Sequence, residues 1–96
     1  MKSLQKWLYN HCEITVHNSS ANADLRYGGY IMAASDTAVH LTDVTDVTSF
    51  LVWKTKALGG TYIFDYACIK HAVVYRMVKD RDTGAMMEDI LFSCYQ

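Results

Sequence analysis

The sequence predicts a mainly β chain made of a short N-terminal helix, a small and strongly bent five-stranded barrel, and a C-terminal tail. From Cys12 onward, apolar and polar residues alternate, which is typical of half-buried strands. The pair Gly28-Gly29 lies in the middle of the second such segment, where missing side chains permit a sharp bend. The chain has 96 residues, and closing a short sheet into a barrel protects edges that would otherwise aggregate.

The N-terminal segment, residues 1–11, favours a short helix. Leu4, Trp7 and Leu8 have the i, i+3, i+4 spacing of one helix face, and Ser3 is a suitable N-cap. We expect this helix to pack on the barrel through Trp7.

The barrel is expected within residues 12–78. A small polar stretch over residues 18–24 is the clearest loop, and a further β-rich run, Phe50–Lys54, lengthens the connection between the third and fourth strands. The five strands are predicted to begin at Cys12, Leu25, Ala38, Thr61 and Ile69.

Residues 79–96 form a C-terminal extension after the turn Asp80–Gly84. Met87, Ile90, Leu91 and Cys94 have helical spacing, so we expect a helix, with a hairpin strand as the alternative that the turn would also suit. Residues 1–96 are therefore predicted to form one domain.

Composition and charge exclude several classes of protein. The net charge is −1, which excludes a strongly basic nucleic-acid binder. No apolar run approaches the ~20 residues of a membrane helix, and the first residues do not resemble a signal peptide. The three cysteines, an odd number among apolar neighbours, are predicted to be buried free thiols: Cys12, Cys68 and Cys94. These features predict a soluble cytoplasmic protein with no membrane partner.

No arrangement of residues predicts catalysis, a metal or a cofactor. A structural zinc needs four ligands, and Cys68-x-x-His71 supplies at most two of them. The carboxylates are scattered, and the glycine pairs lack the lysine of a phosphate-binding loop. We therefore expect a protein that is not an enzyme.

The order of the elements and the residues of the second and third strands resemble the Sm-like family, which includes Sm, LSm and Hfq proteins. Gly29 and Ile31 stand where the family has a central glycine and a following aliphatic residue, and Asp36 stands at the turn. Val39–Leu41 is similar to the aliphatic third strand, and Tyr62–Ile69 resembles the outline of the second family motif.

The resemblance covers residues 3–76 and departs from the family in its short motifs. Ala38 or Val39 replaces the family's asparagine, and Asp65-Tyr66 replaces the Arg-Gly pair of eukaryotic members. Lys70-His71 resembles the Lys-His turn of Hfq, in a register about five residues away, and only one of these registers can hold. Such a divergent, proline-free version would suit a viral or phage-borne relative.

The resemblance implies a homo-oligomeric ring of five to seven subunits that binds single-stranded RNA at its pore-facing turns. Carried over by position, the RNA-binding residues are Asp36, Thr37, His40, Tyr66, Lys70 and His71. Tyr66 would stack on a base and Lys70 would contact phosphate. Pairing of the fourth strand with the fifth strand of the next subunit would bury Ile63, Val73 and Val74.

Two alternatives remain open at this point. The slightly acidic charge and the missing asparagine and Arg-Gly pair favour a ring-shaped scaffold or protein-interaction module without RNA binding. A small-molecule site would require an enclosed pocket, which so short a chain would form mainly between subunits.

Overall fold

Seven β-strands make up most of the chain in the computed structural model, which describes residues 1–49 and 51–96. The strands are β1 His11–Asn18, β2 Ala23–Ala34, β3 Ala38–Asp46, β4 Lys56–Ala57, β5 Thr61–Asp65, β6 Ile69–Lys79 and β7 Met86–Tyr95. They form one antiparallel sheet in the order β4-β3-β2-β1-β6-β7, and β5 also pairs with β3. The prediction of a mainly β chain is confirmed, and the five predicted strands correspond to β1, β2, β3, β5 and β6.

The N-terminal segment is less helical than predicted. Only Gln5–Trp7 forms a 3₁₀ turn, with Leu4 fully buried beneath it. The side-chain amide of Asn10 donates to the carbonyl of Trp7 at 3.2 Å, and Tyr9 takes a left-handed φ of 69°. These two features end the turn before a second helical turn can form. Trp7 does pack on the sheet, stacking with Phe92 at 6.0 Å between ring centroids.

Strand β2 bends where the glycine pair was predicted to bend it. A Cβ atom on Gly29 would lie 2.7 Å from the carbonyl oxygen of Thr42, so only glycine permits this approach of β2 to β3. The pairing of β2 with β3 also shifts register between Gly28 and Tyr30 and between Ile31 and Ala33. Such bulges bend and twist a strand.

One hydrophobic core lies on the concave side of the sheet. Its packing follows the period of two, because Cys12, Ile14 and Val16 face inward while their neighbours face outward. Tyr27 on β2 and Phe64 on β5 meet with ring centroids 5.5 Å apart, so the sheet curls around this core. The buried residues are Leu4, Cys12, Ile14, Ile31, Val39, Leu41, Val44, Tyr66, Ile69, Ala72 and Val74.

The C-terminal tail is a strand, so the predicted helix is wrong and the alternative of a hairpin strand is correct. The side chain of Asp80 accepts a hydrogen bond from the Asp82 amide at 2.8 Å, and Gly84 takes a φ of 72°. This turn reverses the chain, and β7 pairs with β6 from Met86 to Tyr95. A register shift opposite Val74 and Tyr75 interrupts the alternation of β7, which explains the helix-like spacing of its apolar residues.

The connection between β3 and β5 is mostly exposed and contains little strand. Of the β-rich run predicted over Phe50–Lys54, Phe50 lies outside the described residues and Val52–Lys54 forms a 3₁₀ turn. The Trp53 side chain is 78% exposed. Only the two residues of β4 return to pair with β3.

Candidate functional site

The two turns predicted to bind RNA are neighbours in the fold. One is the β2–β3 turn, residues 35–37, and the other is the 3₁₀ turn Tyr66–Cys68 between β5 and β6. The backbone amide of Tyr66 donates to the carbonyl of Thr37 at 3.0 Å. The phenol of Tyr66 donates to the carbonyl of Ser35 at 2.9 Å. Asp36 and Thr37 are exposed on this pair of turns.

Tyr66 itself is a core residue, so the prediction that it stacks on a base is wrong. Its side chain is only 4% exposed, and its hydroxyl also accepts a hydrogen bond from the Leu4 amide at 3.0 Å. The side-chain amide of Gln96 donates to the Tyr66 carbonyl at 2.7 Å. Tyr66 therefore fixes the position of the turn rather than presenting a ring to solvent.

Lys70 follows the Tyr66–Cys68 turn by two residues, and its side chain is already engaged in an ion pair. Its ammonium group contacts both carboxylate oxygens of Asp24 at 3.1 and 3.2 Å, and His17 contacts the same carboxylate at 3.1 Å. Hydrogen bonds from His17 and then Lys70 lower the pKa of Asp24. These side chains are exposed, so the ion pair is screened by solvent. Lys70 stands on β6 beside the end of the β1–β2 hairpin.

The two predicted histidines are also separate from each other. His71 on β6 stacks on Tyr95 of β7 with ring centroids 3.8 Å apart, and its Nε2 lies 3.2 Å from the Ser93 hydroxyl. His40 lies on β3 opposite Ile63 of β5. The predicted RNA-binding residues therefore do not form one cluster within a single chain.

The predicted interface residues divide between an edge and the interior. Ile63 is 63% exposed on β5, whose outer edge pairs with no strand among the described residues. Val74 is fully buried, and β6 is flanked by β1 on one side and by β7 on the other. Val73 and Val74 therefore cannot offer a free strand edge to a neighbouring subunit, because β7 already occupies that edge.

Sequence reasoning did not single out a groove of about 290 Å³ on the convex side of the sheet. Its floor is the backbone of Gly28 and Gly29. His11 pairs with Tyr30 on β2 and with Tyr75 on β6, so three rings form a row across three strands. Their centroids are 4.2 Å apart for His11 and Tyr30 and 5.2 Å apart for His11 and Tyr75.

Two acidic side chains line this groove, Glu13 and Asp43. Glu13, which lines it, forms an ion pair with Arg26. Asp43 lines the opposite side at a left-handed φ of 53°, and its carboxylate is exposed. The sequence contained part of this signal, since alternation with Cys12 and Ile14 places His11 and Glu13 on the outer face. The pairing that brings Asp43 and Tyr75 to the same place is long-range and could not be inferred.

The three cysteine thiols differ in their exposure to solvent. Cys12 is buried, and burial, with a smaller contribution from Glu13, raises its pKa to about 12. Cys68 is exposed and Cys94 is half-buried, so the prediction of three buried thiols holds only for Cys12.

Within residues 1–49 and 51–96, no group of three or more His, Cys, Asp or Glu side chains could hold a metal ion. In the same residues, no helix has the length and apolar character required to span a membrane.

Comparisons with protein-family models, with curated proteins and with solved structures returned no match to this chain.

Proposed function

We propose that this chain is an Sm-like domain that assembles with further copies of itself through its open sheet edges and serves as a protein-interaction scaffold. The strand order carries the proposal. The strands β5-β3-β2-β1-β6 are successive antiparallel neighbours, and one 3₁₀ turn joins β5 to β6. This is the order of the small bent barrel that the resemblance implies. The contact between Tyr27 and Phe64 across the concave side supports the same curvature.

Assembly would use the outer edges of β5 and β7. Unpaired strand edges with apolar side chains are templates for pairing with another chain. Ile63 on β5 is 63% exposed, and on β7 Met87 and Ile90 are 51% and 53% exposed. Pairing β5 of one copy with β7 of the next is a head-to-tail contact, which repeats around a ring. We propose a ring of five to seven subunits, with β7 taking the part that the resemblance gives to the fifth strand.

Charged substitutions on the two edges test this assembly. Size exclusion with light scattering is expected to give a ring for the unchanged protein and a 10.9 kDa monomer for Ile63→Lys and for Ile90→Lys. Met32→Lys is the matched control, because Met32 is 54% exposed on β2, a strand paired on both sides. A monomeric unchanged protein at micromolar concentration, or assembly that survives both edge variants, would contradict the proposal.

Binding of single-stranded RNA is a second candidate, favoured by the contact between the β2–β3 turn and the Tyr66–Cys68 turn. In a ring, these turns would repeat around one opening, with Asp36 and Thr37 exposed on each copy. Lys70, His71 and His40 remain candidates for further RNA contacts, and Tyr66 does not because it is buried. Lys70 would have to exchange the carboxylate of Asp24 for a phosphate.

Fluorescence anisotropy with short A-rich and U-rich RNA at low salt tests this candidate. We expect weak to moderate binding that is lost in Lys70→Ala and retained in Lys54→Ala, a lysine in the β3–β5 connection. The slope of log K against log salt is expected to be about −0.7 per phosphate contact. Absence of binding at low salt, where electrostatic attraction is strongest, would leave the scaffold function alone.

A further inference from the structure

The groove on the convex side exists because residue 28 has no side chain. A Cβ atom on Gly28 would meet only the carbonyl oxygen of Cys12, at 3.9 Å. Gly28 is therefore not required by close packing, unlike Gly29, whose Cβ would collide with the Thr42 backbone. Any larger side chain at residue 28 would occupy the groove floor between β1 and β3. The groove is thus open at a position where the fold itself would accept a side chain.

Aromatic rings form one wall of the groove. His11 lies between Tyr30 and Tyr75, and Tyr30 remains 40% exposed. His11 stacks on Tyr75 with an interplanar angle of 12° and lies tilted against Tyr30, so part of each ring face is covered by a neighbouring ring. The remaining aromatic surface attracts an organic cation within about 6 Å and packs against the alkyl part of its side chain.

The charged side chains around the groove also favour a cation over an anion. The carboxylate of Glu13 is matched by Arg26, whereas no hydrogen bond or ion pair in the described part of the chain engages Asp43. Burial first, and then the carboxylates of Glu88 and Glu13, raise the pKa of the Tyr75 phenol. An anionic ligand such as a phosphate would be repelled by the same groups.

We propose that this groove is a binding site for the cationic head group of a lysine or arginine side chain presented by a partner protein. The head group would lie over Gly28, against Tyr30 and Tyr75, with its charge toward Asp43. This site is on the convex side of the sheet and does not require the edge-to-edge assembly proposed above, so either can fail without the other.

Chemical-shift titration of the ¹⁵N-labelled protein with blocked pentapeptides tests the site. The peptides carry lysine, arginine or norleucine at their centre and glycine elsewhere, so norleucine is the uncharged match to lysine. We expect the lysine and arginine peptides to shift the amides of His11, Gly28, Tyr30 and Asp43. The norleucine peptide is expected to bind at least about threefold more weakly, because it lacks the charge that the rings and carboxylate attract.

Two variants and one control test whether the peptides bind in the groove. Asp43→Asn keeps the shape and suits a left-handed φ, and should reduce affinity for lysine and arginine peptides to the level of norleucine. Gly28→Val fills the groove and should abolish the shifts. Asp82→Asn removes the same charge from the exposed β6–β7 turn and should leave binding unchanged. Should Gly28→Val fail to fold, Asp43→Asn against Asp82→Asn still decides the question.

Three results would overturn the proposal. Equal affinity for norleucine and lysine peptides would show that charge is not recognised. Unchanged binding in Asp43→Asn would remove the groove from the interaction. Adenosine or guanosine monophosphate shifting the same amides more strongly than the cationic peptides would identify a nucleobase site instead.

Discussion

At the scale of single residues, the Tyr66 phenol joins three segments of the chain. It accepts a hydrogen bond from the Leu4 amide and donates one to the Ser35 carbonyl, and its ring lies in the core. The N-terminal segment, the β2–β3 turn and the β5–β6 turn are thereby held together. Because these partners lie 62 and 31 residues away in sequence, no local pattern around Tyr66 could have predicted its burial.

Tyr66→Phe is expected to destabilise the fold while leaving its shape intact. The substitution leaves the Leu4 amide and the Ser35 carbonyl without this partner, at a cost of about 1–3 kcal/mol in the free energy of unfolding. Chemical denaturation measures the change. Tyr27→Phe is the control, since no hydrogen bond of the described residues engages that phenol, and we expect a change within about 0.5 kcal/mol. Equal effects of the two substitutions would contradict the role given to Tyr66.

The three cysteines are expected to react at three distinct rates. Native protein at pH 8 should label quickly at Cys68, more slowly at Cys94, and at Cys12 only after denaturation, because the thiolate is the reactive form. Mass spectrometry of the labelled peptides identifies each site.

Burial raises the pKa of Cys12 from 9.0 to about 12, so the folded state retains a proton that the unfolded state releases. Stability should therefore fall as pH rises through this interval, and less so in Cys12→Val. Rapid native labelling of Cys12 would contradict its burial.

At the scale of elements, the two adjacent glycines of β2 have different roles. Gly29 permits the approach to β3 at the bend, whereas Gly28 leaves a groove open on the opposite side. The sequence predicted a bend at this pair because missing side chains permit a strand to bend sharply. It could not tell the two apart, since the distinction depends on Thr42, which only the pairing of β2 with β3 brings near.

Substitution by alanine should separate the two glycines. Gly29→Ala forces a Cβ to within 2.7 Å of the Thr42 carbonyl oxygen and is expected to cost about 1–3 kcal/mol. Gly28→Ala makes only an ordinary contact with the Cys12 carbonyl oxygen, at 3.9 Å, and should stabilise the protein by about 0.4–1 kcal/mol, because alanine reduces the entropy of the unfolded chain. Thermal unfolding of the two variants is the measurement. Equal destabilisation would show that both positions are closely packed.

The five central strands could be predicted because each contains its own alternation or β-branched run. The tail could not, since its helical spacing comes from a register shift opposite Val74 and Tyr75 within a strand. Pairing with β6 outweighs this local pattern, because tertiary packing decides between strand and helix when the local signal is weak. The candidate site was predicted least well: Tyr66 is buried, Lys70 is paired with Asp24, and the ring row beside Asp43 depends on pairing among four strands.

At the scale of the whole molecule, the addition of β7 changes which surfaces can associate. One end of the sheet is formed by β4 and β5, which both pair with β3, and the other end is formed by β7. Both ends carry exposed apolar side chains. A hairpin arm also extends beyond β1, because β1 pairs with β6 only as far as Tyr75 while β7 accompanies β6 to Lys79. An isolated two-stranded arm is marginally stable in water, so contact with a neighbouring copy would stabilise it.

Hydrogen–deuterium exchange at two protein concentrations tests the edge-to-edge assembly most directly. At a concentration where the protein is assembled, the backbone amides of Thr61–Asp65 and Met86–Tyr95 that face outward are expected to exchange more slowly than in dilute monomer. Amides of β1, which is paired on both sides in every copy, should exchange equally in the two samples. A rise in molecular mass with no added protection of β5 and β7 would contradict the account.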